Sequence, residues 1–196
     1  EGLSVLLIEG KEVIGGGLTS AEFTLLGFVH DVCSAIHPLA LGSPFFDTVP
    51  LADHGLTYLQ PEIAAAHPFD DGTAAVLTNS VEETARLLGA DEQTYLDIFK
   101  PVVRDWPLIA ADVLAPLHFP KHPIAMAQFG LTALTSARYF AKRFKTKAAK
   151  GLWSGMAAHA IKPLTTLSTY AIALVFMTRR TLQGLPMPQT GNYRFC

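Results

Sequence analysis

The chain has 196 residues, 49% of them hydrophobic, and a net charge of -2, which suits one domain or two small ones with a packed core and argues against overall disorder. A sequence pI near 6.4 leaves no broad basic field, so binding to nucleic acid through bulk electrostatics is excluded. The two cysteines, Cys33 and Cys196, are too few and too far apart for the disulfide framework of a small secreted domain, and a reducing, cytoplasmic setting is expected.

An apolar run begins almost at once. Gly2-Leu-Ser-Val-Leu-Leu-Ile-Glu9 has the pattern of a central parallel strand, buried on both faces and ending in a carboxylate. Neither a basic leader region nor a small-residue cleavage site precedes it, so no signal peptide is expected and the start reads as the middle of a domain. Residues 10–20 are predicted as a loop around Gly15, Gly16 and Gly17, and residues 21–29 as a further extended segment. Residues 30–50, rich in proline and small side chains, suit irregular structure.

Residues 56–60 and 73–78 read as two strands, with Asp71-Gly72 as the turn signal because such turns need positive φ. Pro61 and Pro68 lengthen the connection. Ser80-Val-Glu-Glu83 is a capping box that opens a helix to about Leu88. Asp91 is a second N-cap, followed by Tyr95, Ile98, Phe99, Val102, Val103 and Trp106 at helical spacing; Pro101 and Pro107 are expected to kink or divide that helix. A loop over residues 118–123 leads to further helices, through Phe144, over 146–160 and over 165–178. There is no internal repeat and no low-complexity tract.

A strand that ends in an acid and runs into paired glycines fits the second strand of a dinucleotide-binding fold. The Glu9 carboxylate would accept hydrogen bonds from the hydroxyls of an adenosine ribose, and the glycines would let the backbone approach the cofactor. This is half a fingerprint, because the G-x-G-x-x-G loop belongs roughly 20 residues earlier, upstream of Glu1. A buried strand end followed by a simple turn explains the same residues equally well.

The longer text adds to this. Glu9-Gly-Lys-Glu-Val-Ile-Gly-Gly16 resembles the E-x-x-x-x-x-G-G segment of the flavin amine oxidase and phytoene desaturase superfamily. Gly17-Leu-Thr-Ser-Ala-Glu-Phe-Thr-Leu-Leu-Gly-Phe-Val-His-Asp-Val-Cys-Ser-Ala-Ile-His-Pro38 is similar to the branch of phytoene-desaturase-like oxidoreductases that includes pyridine nucleotide-disulfide oxidoreductase domain-containing protein 2. Residues 51–106, with Gly89-Ala-Asp-Glu-Gln-Thr-Tyr95, look like the start of that family's substrate-domain portion. The resemblance implies FAD as cofactor, with Glu9 on the adenosine ribose and Lys11 near the adenine end. It places Gly15, Gly16 and Gly17 along the pyrophosphate and flavin approach and Ser20 at the loop's end, facing the cofactor. Two departures stand out: Leu18 and Thr19 follow the glycines where the family commonly has an arginine, and Gly184-Leu-Pro186 leads into Gln189-Thr-Gly-Asn-Tyr-Arg-Phe-Cys196 rather than a glycine-rich return to the FAD domain.

The remaining reactive residues have plain explanations. His30 and His37 lack metal-ligand spacing and read as core-edge histidines; His118 and His122 have helical spacing, but Pro120 between them argues against a helical metal pair. Asp70 and Asp71 belong to a turn, Cys33 is a small packed residue, and no nucleophile elbow is present. Arg138, Lys142, Arg143, Lys145, Lys147 and Lys150 hold six of the fifteen basic residues. That 138–150 basic helix is either a solvated face or a contact to an anionic membrane surface. Residues 164–178 are apolar but shorter than the ~20 residues of a spanning helix, and suit a core helix or the wall of an apolar substrate chamber.

The expected fold is therefore α/β: a partial Rossmann-like FAD-binding domain over residues 1–48, its phosphate loop lying upstream, joined near 45–55 to a mixed, helix-rich substrate-domain portion over 49–196. The expected function is that of an incomplete piece of an FAD-dependent oxidoreductase that passes a hydride from an apolar small molecule to flavin, with no assigned catalytic residue and no metal. A non-catalytic helical interaction or membrane-surface module derived from such an enzyme is the alternative.

Overall fold

The computed structural model describes residues 2–33, 37, 43, 45–56, 58–59, 61–116, 118–183 and 187–188. The expected turn at residues 184–186 and the tail at 189–196 lie outside them. The architecture is mixed α and β. Its strands are β1 (Ser20–Glu22), β2 (Val29–Asp31), β3 (Tyr58–Leu59), β4 (Ile63–Pro68), β5 (Ala74–Thr78) and β6 (Met187–Pro188). Its helices are α1 (Val81–Leu87), α2 (Glu92–Val113), α3 (Pro123–Ala133), α4 (Ala137–Phe140), α5 (Lys147–Ala157) and α6 (Thr169–Gln183). The strands pair as β1 with β2, β3 with β6 and β4 with β5, all antiparallel.

No parallel pair occurs among the described residues, so a Rossmann-like sheet is not seen there. Residues 2–9 form no strand, and Leu3, Val5, Leu6, Leu7 and Ile8 are between 79% and 92% exposed. The physical reason is that a buried parallel strand needs neighbours on both edges to take its N–H and C=O groups. None of the described residues supplies them. Residues 21–29 are likewise not one extended segment: they cross from β1 to β2 through a turn in which Phe28 N donates to Leu25 O at 3.0 Å and Gly27 takes φ +85°.

The central hairpin forms as the Asp-Gly signal indicates, with a different first strand. Residues 63–68, rather than 56–60, pair with β5, from Ile63 opposite Thr78 to Pro68 opposite Ala74, with an irregularity between Ile63 and Ala65. Gly72 has φ +80° and donates to Phe69 O at 3.0 Å, while Phe69 N donates to Thr73 O at 2.8 Å. The Asp71 carboxylate accepts from Thr73 N at 3.1 Å and from the Thr73 hydroxyl at 2.6 Å, which fixes the turn from its side.

Helices then cover the hairpin. Ser80 caps α1, its hydroxyl accepting from Glu83 N at 3.2 Å; the return half of the box is replaced, because Ser80 N donates to the Thr78 hydroxyl at 3.3 Å. In α2 the stripe Tyr95, Ile98, Phe99, Trp106 and Ile109 is buried. Pro101 and Pro107 sit inside this single helix, on its exposed side. Burial of the opposite stripe outweighs the two hydrogen bonds that the prolines remove.

One hydrophobic core joins Ala64, Ala75 and Leu77 of the hairpin to Leu88, Phe99, Phe140, Trp153, Met156, Leu174 and Met177 of the helices. Trp153 is at its centre, with ring centroids 4.9 Å from Phe140 and 5.2 Å from Tyr170. Its indole N–H donates to Ala137 O at 2.9 Å, so the one polar atom of the ring is satisfied as it is buried. Helix α5 approaches the hairpin closely at two glycines: a Cβ on Gly151 would lie 2.5 Å from the Phe69 ring, and one on Gly155 would overlap the His67 ring.

Candidate functional site

The glycine segment and the β1–β2 hairpin form one continuous, solvent-facing stretch. Glu9 is exposed, and one of its carboxylate oxygens accepts from Lys11 N at 3.0 Å in a local turn. Gly15 has φ +121° and Gly16 φ +51°, conformations that strain any side-chain-bearing residue. Residues Gly16–Leu18 make one 3-10 turn, closed by Leu18 N donating to Gly15 O at 2.8 Å and by the Thr19 hydroxyl donating to Gly16 O at 2.7 Å. A Cβ on Gly16 or Gly17 would meet nothing within 4 Å, so the backbone there is open on its outer side.

Beyond the turn, Ser20 begins β1 and is half-buried. Its hydroxyl donates to Asp31 Oδ1 at 2.5 Å, and Val32 N donates to Thr19 O at 2.8 Å. These bonds tie the exit of the glycine loop to β2. The Thr24 hydroxyl and His30 Nε2 lie 2.8 Å apart across the same hairpin. Six residues read from sequence as cofactor contacts are thus arranged in two local groups: Glu9 with Lys11, and Gly15, Gly16 and Gly17 with Ser20. An anionic or dinucleotide ligand would meet exposed backbone and the free oxygen of Glu9 here. The Ser20 hydroxyl is already engaged by Asp31.

Tyr170, Ala173, Leu174 and Met177 of α6 are buried in the core, which is the core role of the two open to this segment. A shallow groove of about 400 Å³ runs between α2 and α3, lined by Asp105, Leu108, His122 and Ile124 among others. Beside it His118 Nε2 lies 2.8 Å from Asp112, whose second oxygen accepts from Lys121 N at 3.0 Å. The Pro116 carbonyl and Asp112 together raise the His118 pKa. Among the described residues no group of three or more His, Cys, Asp or Glu side chains is placed to hold a metal. Cys33 is exposed rather than packed.

The basic stretch is not one helix, which corrects the 138–150 reading. Helix α4 ends at Phe140, Phe144 is extended with ψ 145°, and Thr146 is the N-cap of α5. The cause is Asp91, whose side chain leaves its own helix uncapped. It accepts from Lys145 N at 2.8 and 3.1 Å, from Thr146 N at 2.7 Å and from the Thr146 hydroxyl at 2.6 Å. The two amides it holds are those a continuous helix would have used. All six cations of the stretch are exposed, and Lys147 donates to Asp71 at 2.7 Å. No described helix is long and apolar enough to cross a membrane.

Sequence spacing missed two groupings. Asp91 meets Lys145 and Thr146 across more than fifty residues, and the only signal was an acid at a helix start. Arg179 and Arg180 stand adjacent in an otherwise uncharged helix, and both are buried; that adjacency was legible, but its partners were not.

No family model matches the chain. Over 131 residues, 67% of the chain, it is 24% identical to a limonene dehydrogenase subunit of Castellaniella defragrans, and the matched stretch is 23% of that relative's length. The chain is therefore similar to about a quarter of an oxidoreductase subunit.

Proposed function

We propose that the chain is part of an FAD-dependent oxidoreductase of the phytoene-desaturase-like class, and that residues 9–17 form one wall of its cofactor site. The observation that carries this reading is the glycine turn that follows Glu9, with positive φ at Gly15 and Gly16 and open backbone at Gly16 and Gly17. The likeness to a dehydrogenase subunit supports the coarser part of it, an oxidoreductase. Glu9 would hold the adenosine ribose hydroxyls and Lys11 would lie at the adenine end. The glycines would admit the pyrophosphate without a side chain in the way. FAD, when bound, supplies the hydride-accepting chemistry, and the protein supplies orientation and exclusion of water around an apolar substrate. The activity belongs to the whole protein of which this stretch would be a part.

A membrane-surface role for residues 138–150 has weaker support. Arg138 lies in α4, Lys142 and Arg143 in the 3-10 turn after it, Lys145 in the break and Lys147 and Lys150 in α5, and Lys147 is already paired with Asp71.

The test is purification of the longer protein that carries this sequence. A flavin absorbance spectrum with one FAD per chain is expected, and Glu9→Ala should weaken FAD binding roughly 10- to 100-fold, the loss of charge-assisted hydrogen bonds to the ribose. A folded, colourless protein that FAD cannot reconstitute would overturn the reading. The 196-residue chain alone is expected to retain little or no flavin.

A further inference from the structure

Arg180 lies in the last turn of α6 and is 8% exposed. A guanidinium this deeply placed is costly unless an anion or a full set of acceptors compensates it. Its contacts are weak ones. Nη1 donates to Met156 Sδ at 3.4 Å, and Nη2 lies 3.4 Å from His159 Nε2. Nε has no hydrogen-bond partner, and among the described residues no carboxylate pairs with the group. Among the described residues, its five N–H donors thus meet a thioether and an imidazole.

Two histidines share the location. His159 Nδ1 lies 3.3 Å from Gly155 O, which suits a proton on Nδ1 and leaves Nε2 to accept from Arg180. The His159 ring also packs on Phe176, centroids 5.1 Å apart, and the Arg180 guanidinium stands 5.9 Å from that same ring. From the hairpin side, His67 lies against Gly155, and its Nδ1 is buried without a partner. Burial first, then the facing charges of Arg180 and His159, hold the His67 pKa below the ordinary imidazole value. Three nitrogen-bearing side chains from β4, the turn after α5 and α6 converge, all of them cationic or able to become so.

We propose that Arg180, His67 and His159 form a receptor for a carboxylate, with the planar guanidinium as its principal contact, His67 as a flanking donor and His159 holding the guanidinium in place. A carboxylate matches the guanidinium fork with two parallel N–H···O bonds, and its charge would offset the cation that the fold has buried. Such a carboxylate could come from an Asp or Glu elsewhere in the longer protein or from a free small molecule. This inference is independent of the flavin reading, since it uses none of residues 9–20.

The test is an NMR titration of the 196-residue chain with sodium acetate, against sodium chloride at matched ionic strength, following the imidazole resonances. Acetate should move the His67 and His159 signals along one saturable curve and raise the apparent pKa of His67, because a bound anion favours the charged imidazole. Arg180→Gln should weaken acetate binding at least about tenfold, the loss of its charge-assisted contacts. Arg180→Lys, which keeps the cation but not the fork, should fall between; His159→Gln, at an exposed position, keeps the test valid if substitution at 180 unfolds the chain, and should weaken binding while leaving the His67 response. Repeating the titration on the longer protein separates the two sources: a response lost there identifies an internal carboxylate, and one retained identifies a free ligand. Imidazole signals that move no more with acetate than with chloride, or that respond equally in Arg180→Gln and the unsubstituted chain, would refute the receptor.

Discussion

Asp91 and Thr146 are joined twice, through the Thr146 amide at 2.7 Å and its hydroxyl at 2.6 Å, so the residue that begins one helix holds the residue that begins another. Thr146 in turn accepts from Ala149 N at 3.1 Å. The start of α2 and the start of α5 are thereby fixed to each other.

Asp91→Asn is expected to lower stability by ~2–3 kcal/mol, because the amide presents N–H groups toward amides that need an acceptor. Urea unfolding checks this. Burial would by itself raise the Asp91 pKa, but the hydrogen bonds from Thr146 and Lys145 outweigh it and the net direction is down. A depressed folded value means that the stabilisation is complete above the ordinary Asp range and fades as pH falls through the folded value. The gap between the two proteins should therefore narrow in acid; a gap that widens there would contradict the assignment.

Gly155→Ala and Gly151→Ala should both destabilise. Alanine is favoured over glycine in a helix by about 1 kcal/mol, but a methyl group at these sites overlaps His67 or crowds Phe69, and overpacking costs ~1–3 kcal/mol. Gly130 in α3 is the control, since a Cβ there meets nothing within 4 Å. Gly130→Ala should raise the unfolding midpoint. Equal behaviour at all three positions would argue against the close approach of α5 to the hairpin.

Trp153→Ala is expected to cost ~3–5 kcal/mol, the usual range for removing a buried tryptophan. Trp153→Phe should cost less, since it keeps much of the ring packing while losing the bond to Ala137 O. The two substitutions can be ranked by thermal unfolding, with tryptophan emission separating the centre of the core from Trp106.

Gly16→Val is expected to leave the unfolding transition of the core almost unchanged, because the position is exposed and makes no core contact. In the longer protein it should reduce FAD affinity, since φ +51° is unfavourable for a β-branched residue. Flavin retention on dialysis reads the second effect. Unaltered retention would count against the glycine turn as a cofactor wall.

Local chemistry was legible where it determined its own structure. Ser80 caps α1, Gly72 turns the hairpin, and the stripe from Tyr95 to Trp106 faces the core, because each depends on neighbours within a few residues. What escaped the sequence depended on distant partners. Residues 56–60 read as the first hairpin strand and 61–72 as its connection, whereas packing against α5 and pairing with β5 select 63–68. Pro101 and Pro107 read as kinking or dividing the helix because the sequence does not show that the stripe opposite them is buried deeply enough to keep it in one piece. The helix readings through Phe144 and over 146–160 part where the chain breaks, although the basic residues group as one 138–150 helix; what the sequence does not show is that Asp91, far away, holds the break. At the candidate site the glycines and Glu9 were identifiable by type, whereas the commitment of Ser20 to Asp31 required the β1–β2 pairing.

The run from Leu3 to Ile8 carries five large apolar side chains, no charge and no proline, and its backbone donors and acceptors are uncommitted among the described residues. Such a segment is a template for strand addition by another copy of itself. Colloidal behaviour and fold stability are consequently separate properties of this chain: a substitution that strengthens the Trp153 core leaves the adhesive segment untouched. Val5→Lys or Leu7→Lys would suppress concentration-dependent association without altering the unfolding transition.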